Sequence, residues 1–128
     1  MLRVMELDHL VLLCSDIEIM LDFYGRVLGA QLERQIQQPP LWQLRLGNVL
    51  IDLQRRDQPE QGTNVEHFCF NIAEIDELRV VDFLQRQGVM FEPFSEKYGA
   101  RGYSRSLYMY DPEDNKIELK LLSAKREA

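Results

Sequence analysis

The order strand, helix, three strands is written twice in this chain, and that repeat limits the fold more than any single motif does. Residues 7–14, Leu-Asp-His-Leu-Val-Leu-Leu-Cys, form an apolar run of strand length with Asp8 and His9 near its start. Ser15-Asp16-Ile17-Glu18 then has the capping-box pattern, with Ser15 as the cap and Glu18 reaching back. Ile17, Met20, Leu21, Tyr24, Val27 and Leu28 fall at helical spacing, and Gly29 supplies a left-handed stop. Strand candidates follow at Gln31–Ile36, at Leu41–Leu46 after the breaker Pro39-Pro40, and at Val49–Gln54 after a Gly47-Asn48 turn.

Polar residues 55–64, with Pro59 and Gly62, read as a linker. The order then recurs. Val65–Ile72 is a strand with His67 near its start, where the first strand has His9. The next helix carries Leu78, Val81 and Leu84 on one face, with Val80 and Phe83 beside them, and Gly88 ends it. Strands are expected at Phe91–Phe94, Ser104–Tyr110 and Lys116–Leu122, with a Gly99-Ala-Arg-Gly102 loop between the first two. The fold class is α+β. One domain, residues 1–128, is built from two βαβββ modules spanning 5–56 and 65–122. A helix covers one face of each sheet, and the open faces are expected to pair as curved sheets around a central cavity, with the helices outside.

Strand alternation sorts the polar residues by face. Leu10, Leu12 and Cys14 share the helix-packed face of the first strand, which leaves His9 on the other. Phe68, Phe70 and Ile72 do the same in the second module, leaving His67 and Cys69. Val49, Ile51 and Leu53 pack, leaving Asp52 and Gln54; Ile117, Leu119 and Leu121 pack, leaving Glu118. Glu118 has a bland explanation, a solvated face shared with Lys116 and Lys120, and a sharp one, a carboxylate turned into the cavity. His9 and His67 are the only histidines, and both open a repeat. Two imidazoles with one or two carboxylates suit a divalent transition metal, and a 2-His-1-carboxylate set leaves positions open for substrate.

Charge narrows the partners. The net charge is −6 with both signs scattered, whereas nucleic acid or an anionic membrane surface would select a basic face. No apolar run approaches the ~20 residues of a bilayer span, and the N-terminus lacks a secretory pattern. Cys14 and Cys69 match no metal or redox spacing and read as free thiols of a cytoplasmic protein. Only Lys125-Arg126-Glu127 looks like a tail.

The stretches LDHLVLLCSDIEIMLDFYGRVLGAQL, VEHFCFNI and SLYMYDPEDNKIEL resemble the vicinal oxygen chelate superfamily. That group holds glyoxalase I, bleomycin-resistance proteins, fosfomycin-resistance thiol transferases and extradiol dioxygenases. The resemblance runs from Leu7 to Leu119, and the DFYGRVLG helix and YDPEDNKIEL strand are its most specific parts. It implies a single glyoxalase-like domain whose metal ligands fall on His9, His67 and Glu118, with Asp52 as a fourth ligand or a base, and the set suits Zn, Ni, Mn or Fe. Glyoxalase I has a second glutamate where this chain has Asp52, one methylene shorter. Ser106 and Tyr108 resemble the substrate-side serine and tyrosine of the fosfomycin-resistance enzymes, while Tyr98 and Gly102 stand near where their phosphonate-binding basic residues are expected.

What the resemblance implies is a metal-dependent glyoxalase-like lyase or isomerase. Its small substrate chelates the metal through vicinal oxygens, and the metal stabilises the enolate or alkoxide that forms. Asp52 and Glu118 are the candidate catalytic carboxylates, with Asp52 preferred as base because its shorter arm leaves it off the metal. Gln54, Ser106 and Tyr108 are the candidate substrate contacts, and the face of Gln43 and Arg45 stays open. The alternatives are a fosfomycin-resistance-type thiol transferase, a small dioxygenase, or a metal-free bleomycin-resistance-type binding protein. A homodimer is expected, with halves pairing between chains.

Overall fold

A computed structural model describes residues 1, 3, 5–38, 40–56, 64–74 and 76–122. Pro39, Pro59, Gly62 and the Lys125-Arg126-Glu127 tail lie outside the described residues, as does most of the expected linker. The chain divides into two compact units, Met1–Asn64 and Val65–Ala128. The first holds β1 (His9–Cys14), α1 (Ile17–Leu28), β2 (Gln31–Ile36), β3 (Leu41–Leu46) and β4 (Val49–Arg55). The second holds β5 (Phe68–Ile72), α2 (Glu77–Arg86), β6 (Met90–Phe91), β7 (Ser95–Gly99), β8 (Gly102–Tyr110) and β9 (Lys116–Leu121).

Each unit is one mixed sheet with one helix, an α+β arrangement. The first sheet runs β1-β4-β3-β2, and the second runs β5-β9-β8-β6 with β7 also on β8. In both, the strand before the helix pairs parallel with the last strand of the unit, and the other pairings are antiparallel. A parallel pair needs a crossover connection, which is why a helix follows the first strand of each unit.

Helix α1 begins one residue later than the capping box predicts. Asp16, not Ser15, is the N-cap, with extended backbone and a carboxylate that accepts from Ile19 N–H at 3.1 Å. A carboxylate also complements the positive end of the helix dipole, an advantage a hydroxyl lacks. Gly29 takes φ 73° and ends the helix as expected: its N–H donates to Gly25 O and Ala30 N–H to Tyr24 O. Ile17, Met20, Phe23, Tyr24 and Val27 are the buried stripe, and α1 packs on β4. Leu12, Cys14, Leu44, Ile51 and Leu53 are buried on the sheet side. Truncating Leu53, which is fully buried, to Ala should cost ~2–5 kcal/mol through lost burial and the cavity left behind.

Helix α2 is capped by Asp76, whose side chain accepts from Leu78 N–H at 3.0 Å. Its buried residues are Val80 and Leu84, while Leu78 is 79% exposed. The expected Leu78 face is therefore corrected. Steps of three residues drift around a helix of 3.6 per turn, so Leu78 lies ~120° from Leu84. Arg105 on β8 clamps the helix with two hydrogen bonds to Glu77, at 2.7 and 3.2 Å.

The strand expected at Phe91–Phe94 is two pieces. Met90 and Phe91 pair with β8, pairing lapses at Pro93, which has no N–H to donate, and it resumes at Ser95. The expected 99–102 loop is the end of this second piece: Gly99 pairs with Gly102, and only Ala100 and Arg101 form the turn.

The Asp111–Asn115 turn sets the register of β9. Asp111 is buried and accepts from the N–H groups of Glu113 and Asn115, both at 2.9 Å, and from the Asn115 amide at 2.8 Å. Asp114 takes φ 65°, which an aspartate tolerates better than most residues. That tight turn fixes which residues of β9 face the helix, and so which way Glu118 points.

Candidate functional site

In the first unit His9 is level with Leu50, Val11 with Asp52 and Leu13 with Gln54. On β3, Gln43 pairs with Asp52 and Arg45 with Leu50, which places both on the same face as Asp52. Asp52 is only 4% exposed. Gln43 Nε2 donates to its Oδ2 at 3.2 Å, and Arg34 Nε donates to Gln43 Oε1 at 2.7 Å. The other oxygen, Oδ1, is buried without a hydrogen-bond partner among the described residues. Such an orphaned acceptor costs ~1–3 kcal/mol, which a cation or a donor on a ligand would recover.

His9 Nδ1 lies 2.8 Å from Asp8 Oδ2. That bond, opposed by partial desolvation and reinforced by the charge of Asp52, holds the His9 ionisation above its usual value. Arg45 is committed elsewhere: its guanidinium meets Glu33 at 2.9 and 3.0 Å, and Glu33 is held below the usual carboxylate range chiefly by that bond.

In the second unit Cys69 and Tyr108 are both level with Glu118, and Ser106 is level with Lys120. Lys116, Glu118 and Lys120 do share a face, as the bland explanation of Glu118 requires, yet that face is not solvated at its centre. Glu118 is 6% and Lys120 3% exposed. Glu118 Oε1 lies 3.3 Å from His67 Nε2, and its Oε2 accepts from the Ser106 hydroxyl at 2.7 Å. On the far side of the ring, His67 Nδ1 is 2.6 Å from Glu66 Oε1. Glu66 is held below the usual range first by that bond and then by the charge of Lys116.

Tyr108 meets His67 edge to face with centroids 5.3 Å apart, and the Lys97 and Lys116 ammonium groups lie over its ring at 4.6 and 4.1 Å. Lys97 Nζ also donates to Ser95 Oγ and Ser106 O, and the buried Lys120 Nζ donates to Lys97 O at 2.8 Å. A Cβ at Gly99 would come 2.8 Å from that ammonium, so the glycine leaves it room. The Cys69 thiol stays accessible, but desolvation and then the charge of Glu118 push it up to about 11, so it is neutral at physiological pH.

Sequence reasoning places His67, Glu118, Ser106 and Tyr108 together, and these four are in contact or level with one another. It places His9, Asp52 and Gln54 on one face, and they share it. It misses Lys97. Tyr98, which stands where a basic residue is expected, pairs with Tyr103 on the other face and is 73% exposed. The polar stretch Ser95-Glu-Lys-Tyr hides the strand that carries Lys97, because its site-facing residues are Ser95 and Lys97 rather than apolar ones. It also passes over the acids that precede both histidines, whose signal is the repeated acid–His pair itself.

Imidazole nitrogens beside buried carboxylates are the donor set of Zn and its neighbours, and the orphaned Asp52 oxygen fits the same chemistry. Each unit supplies one histidine and one carboxylate; among the described residues no group of three or more His, Cys, Asp or Glu is placed to hold an ion.

The Glyoxalase/Bleomycin resistance protein/Dioxygenase superfamily model matches residues 6–119, and the chain belongs to that superfamily. Glutathione transferase FosA of Serratia marcescens is 28% identical over 118 residues, 89% of this chain and 79% of that protein. The glyoxalase domain-containing protein RDO1 of Mycosarcoma maydis is 32% identical over 130 residues, 92% of this chain and 69% of that protein. Among solved structures, an integron cassette protein of V. cholerae superimposes with a TM-score of 0.79 at 28% identity, covering 96% of this chain and 99% of that one. The fosfomycin resistance protein FosX of Listeria monocytogenes shares the fold, with a TM-score of 0.74 at 18% identity over 95% and 97% of the two chains. No helix among the described residues is long and apolar enough to cross a membrane.

Proposed function

We propose that this chain is a metal-dependent glyoxalase-like enzyme whose small substrate binds the ion through neighbouring oxygens. The observation that carries this is the buried Glu118 carboxylate beside the partly exposed His67 ring, matched at the equivalent register of the other sheet by His9 and Asp52. Burying a carboxylate is costly unless it is paired, and the histidine contact at 3.3 Å is longer than a good charge-assisted hydrogen bond. An ion between such pairs, from one chain or from two chains of a homodimer, satisfies the carboxylates better. Val11, 41% exposed on the His9 face, is an apolar residue that dimer pairing would cover. Light scattering showing a stable monomer at micromolar concentration would count against sites shared between chains.

The metal, Zn, Ni, Mn or Fe, supplies Lewis acidity toward the substrate oxygens. The chain's own groups divide the remaining work. His9, His67 and Glu118 hold the ion. Asp52, steadied at Oδ2 by Gln43, keeps Oδ1 free as fourth ligand or as the base that takes a proton from carbon. Ser106 fixes Glu118, and Tyr108, beneath two ammonium groups, faces the substrate with Gln54. Lys97 and Lys116 favour negative charge developing beside the tyrosine.

Thiol transfer of the fosfomycin-resistance kind is the second reading, supported by the likeness to FosA and by Ser106, Tyr108 and Lys97 on one face. Cys69, a neutral thiol, does not serve as its nucleophile, so the thiol would be a co-substrate. Metal analysis of the purified protein, then turnover of 2-oxoaldehyde hemithioacetals and of fosfomycin with a thiol, with and without chelator, tests both. One bound ion and chelator-sensitive turnover of either is expected. Ligand binding that ignores chelator would point instead to a metal-free binding protein.

A further inference from the structure

Both histidines follow an acid directly, and in both the acid touches the same ring nitrogen. Asp8 Oδ2 is 2.8 Å from His9 Nδ1, and Glu66 Oε1 is 2.6 Å from His67 Nδ1. The two acids differ by a methylene and sit in different units, so the shared contact atom does not follow from one side-chain geometry. An ionised carboxylate only accepts hydrogen bonds. In the neutral ring this favours hydrogen on Nδ1 and the lone pair on Nε2. At His67, where two carboxylates compete, the 2.6 Å contact to Glu66 at Nδ1 is the shorter and decides which nitrogen carries it. In the second unit Nε2 is the nitrogen turned toward buried Glu118, at 3.3 Å.

We propose that Asp8 and Glu66 are positioning residues that hold His9 and His67 in the Nδ1–H tautomer, so that each ring offers its Nε2 lone pair to the site-bearing face of its sheet. The use made of that lone pair rests on the metal-site reading above; the tautomer itself does not. A neutral histidine side chain in water prefers the opposite tautomer, with hydrogen on Nε2, so without the acid each ring would mostly present a donor where a ligand is needed. The carboxylates are largely exposed, 90% and 77%, so water competes for them and the preference is graded rather than absolute. Orienting groups behind metal-bound histidines are worth ~10–100-fold in affinity where they have been removed.

The test uses the full chain labelled with nitrogen-15 at histidine, held above the histidine titration range. Ring nitrogen shifts and proton–nitrogen correlations report the tautomer without any metal, and a titration with Zn alone reports affinity. The wild type should show Nδ1–H at both rings. Asp8→Ala and Glu66→Ala should each shift their own histidine toward Nε2–H and weaken Zn by ~10–100-fold. Asp8→Asn and Glu66→Gln, which keep a carbonyl acceptor but lose the charge, should restore the tautomer and much of the affinity. Wild-type rings in the Nε2–H form, or alanine variants with unchanged Zn affinity, would overturn the proposal. A wild type that holds Nδ1–H but binds no Zn would support the orientation while removing the proposed function.

Discussion

Asp52 and Glu118 stand at the same place in their two sheets. Asp52 is level with Val11, two residues after His9, and Glu118 is level with Cys69, two residues after His67. The two differ in how they are held: Glu118 has His67 near one oxygen and Ser106 donating to the other, whereas one Asp52 oxygen has no hydrogen-bond partner among the described residues. The repeat thus yields one carboxylate oriented by a serine hydroxyl and one with an oxygen left over, which fits a ligand and a base.

Ser106 should matter through Glu118. It is fully buried, and its hydroxyl is the donor on Oε2. Ser106→Ala should leave the fold intact but cost ~1.5–3 kcal/mol of stability, the value of a hydrogen bond to a charged group. Zn affinity, measured by titration, should fall by ~10-fold or more. Unchanged affinity would mean that Glu118 needs no orientation.

The Cys69 thiol offers a pH readout of Glu118 in the metal-free protein. Its ionisation, pushed up to about 11, should make the rate of alkylation by iodoacetamide climb without a plateau below ~pH 10. Cys14 is fully buried and should stay silent. Replacing Glu118 with Gln removes the second of the two main causes, after desolvation, so the midpoint should move down but remain above the ordinary thiol value. No movement would place the carboxylate elsewhere.

The Asp111 turn should control stability and site together. Asp111→Ala removes the acceptor for two backbone N–H groups and the Asn115 amide. A loss of ~2–3 kcal/mol in denaturant unfolding is expected, with weaker metal binding because the approach to β9 loosens. A variant as stable as wild type would show that the strand finds its register without the turn.

Acid should release the α2 clamp. Arg105 holds Glu77 below the usual carboxylate range, so Glu77 ionises more easily folded than unfolded. Its contribution is present above the unfolded value near 4.5 and is lost as pH falls through the lower folded value. Both side chains are about a third to a half exposed, so solvent screening keeps the contribution of the pair small. Arg105→Ala should slightly flatten the fall in stability below pH ~4.5, measured by urea unfolding.

Much of this was legible because hydrophobic alternation assigns faces. Leu10, Leu12 and Cys14 against His9, and Ile117, Leu119 and Leu121 against Glu118, fix both sheets without any knowledge of pairing. What alternation cannot give is burial on the polar face: nothing local says that Glu118 and Lys120 are shielded while Lys116 is less so. The β7 strand was hidden for the same reason, since a strand whose inward residues are Ser95 and Lys97 looks like a loop. Contacts between neighbours in sequence, such as Asp8 with His9, depend on rotamers that a one-dimensional pattern does not encode.

The most direct test is anomalous diffraction from crystals grown with Zn. One strong peak is expected ~2.0–2.2 Å from His67 Nε2 and Glu118 Oε1, with His9 and Asp52 of the same chain or of a second copy completing the approach. The peak should vanish in His67→Ala crystals of unchanged fold. A peak that survives His67→Ala, or Zn bound away from Glu118, would contradict it.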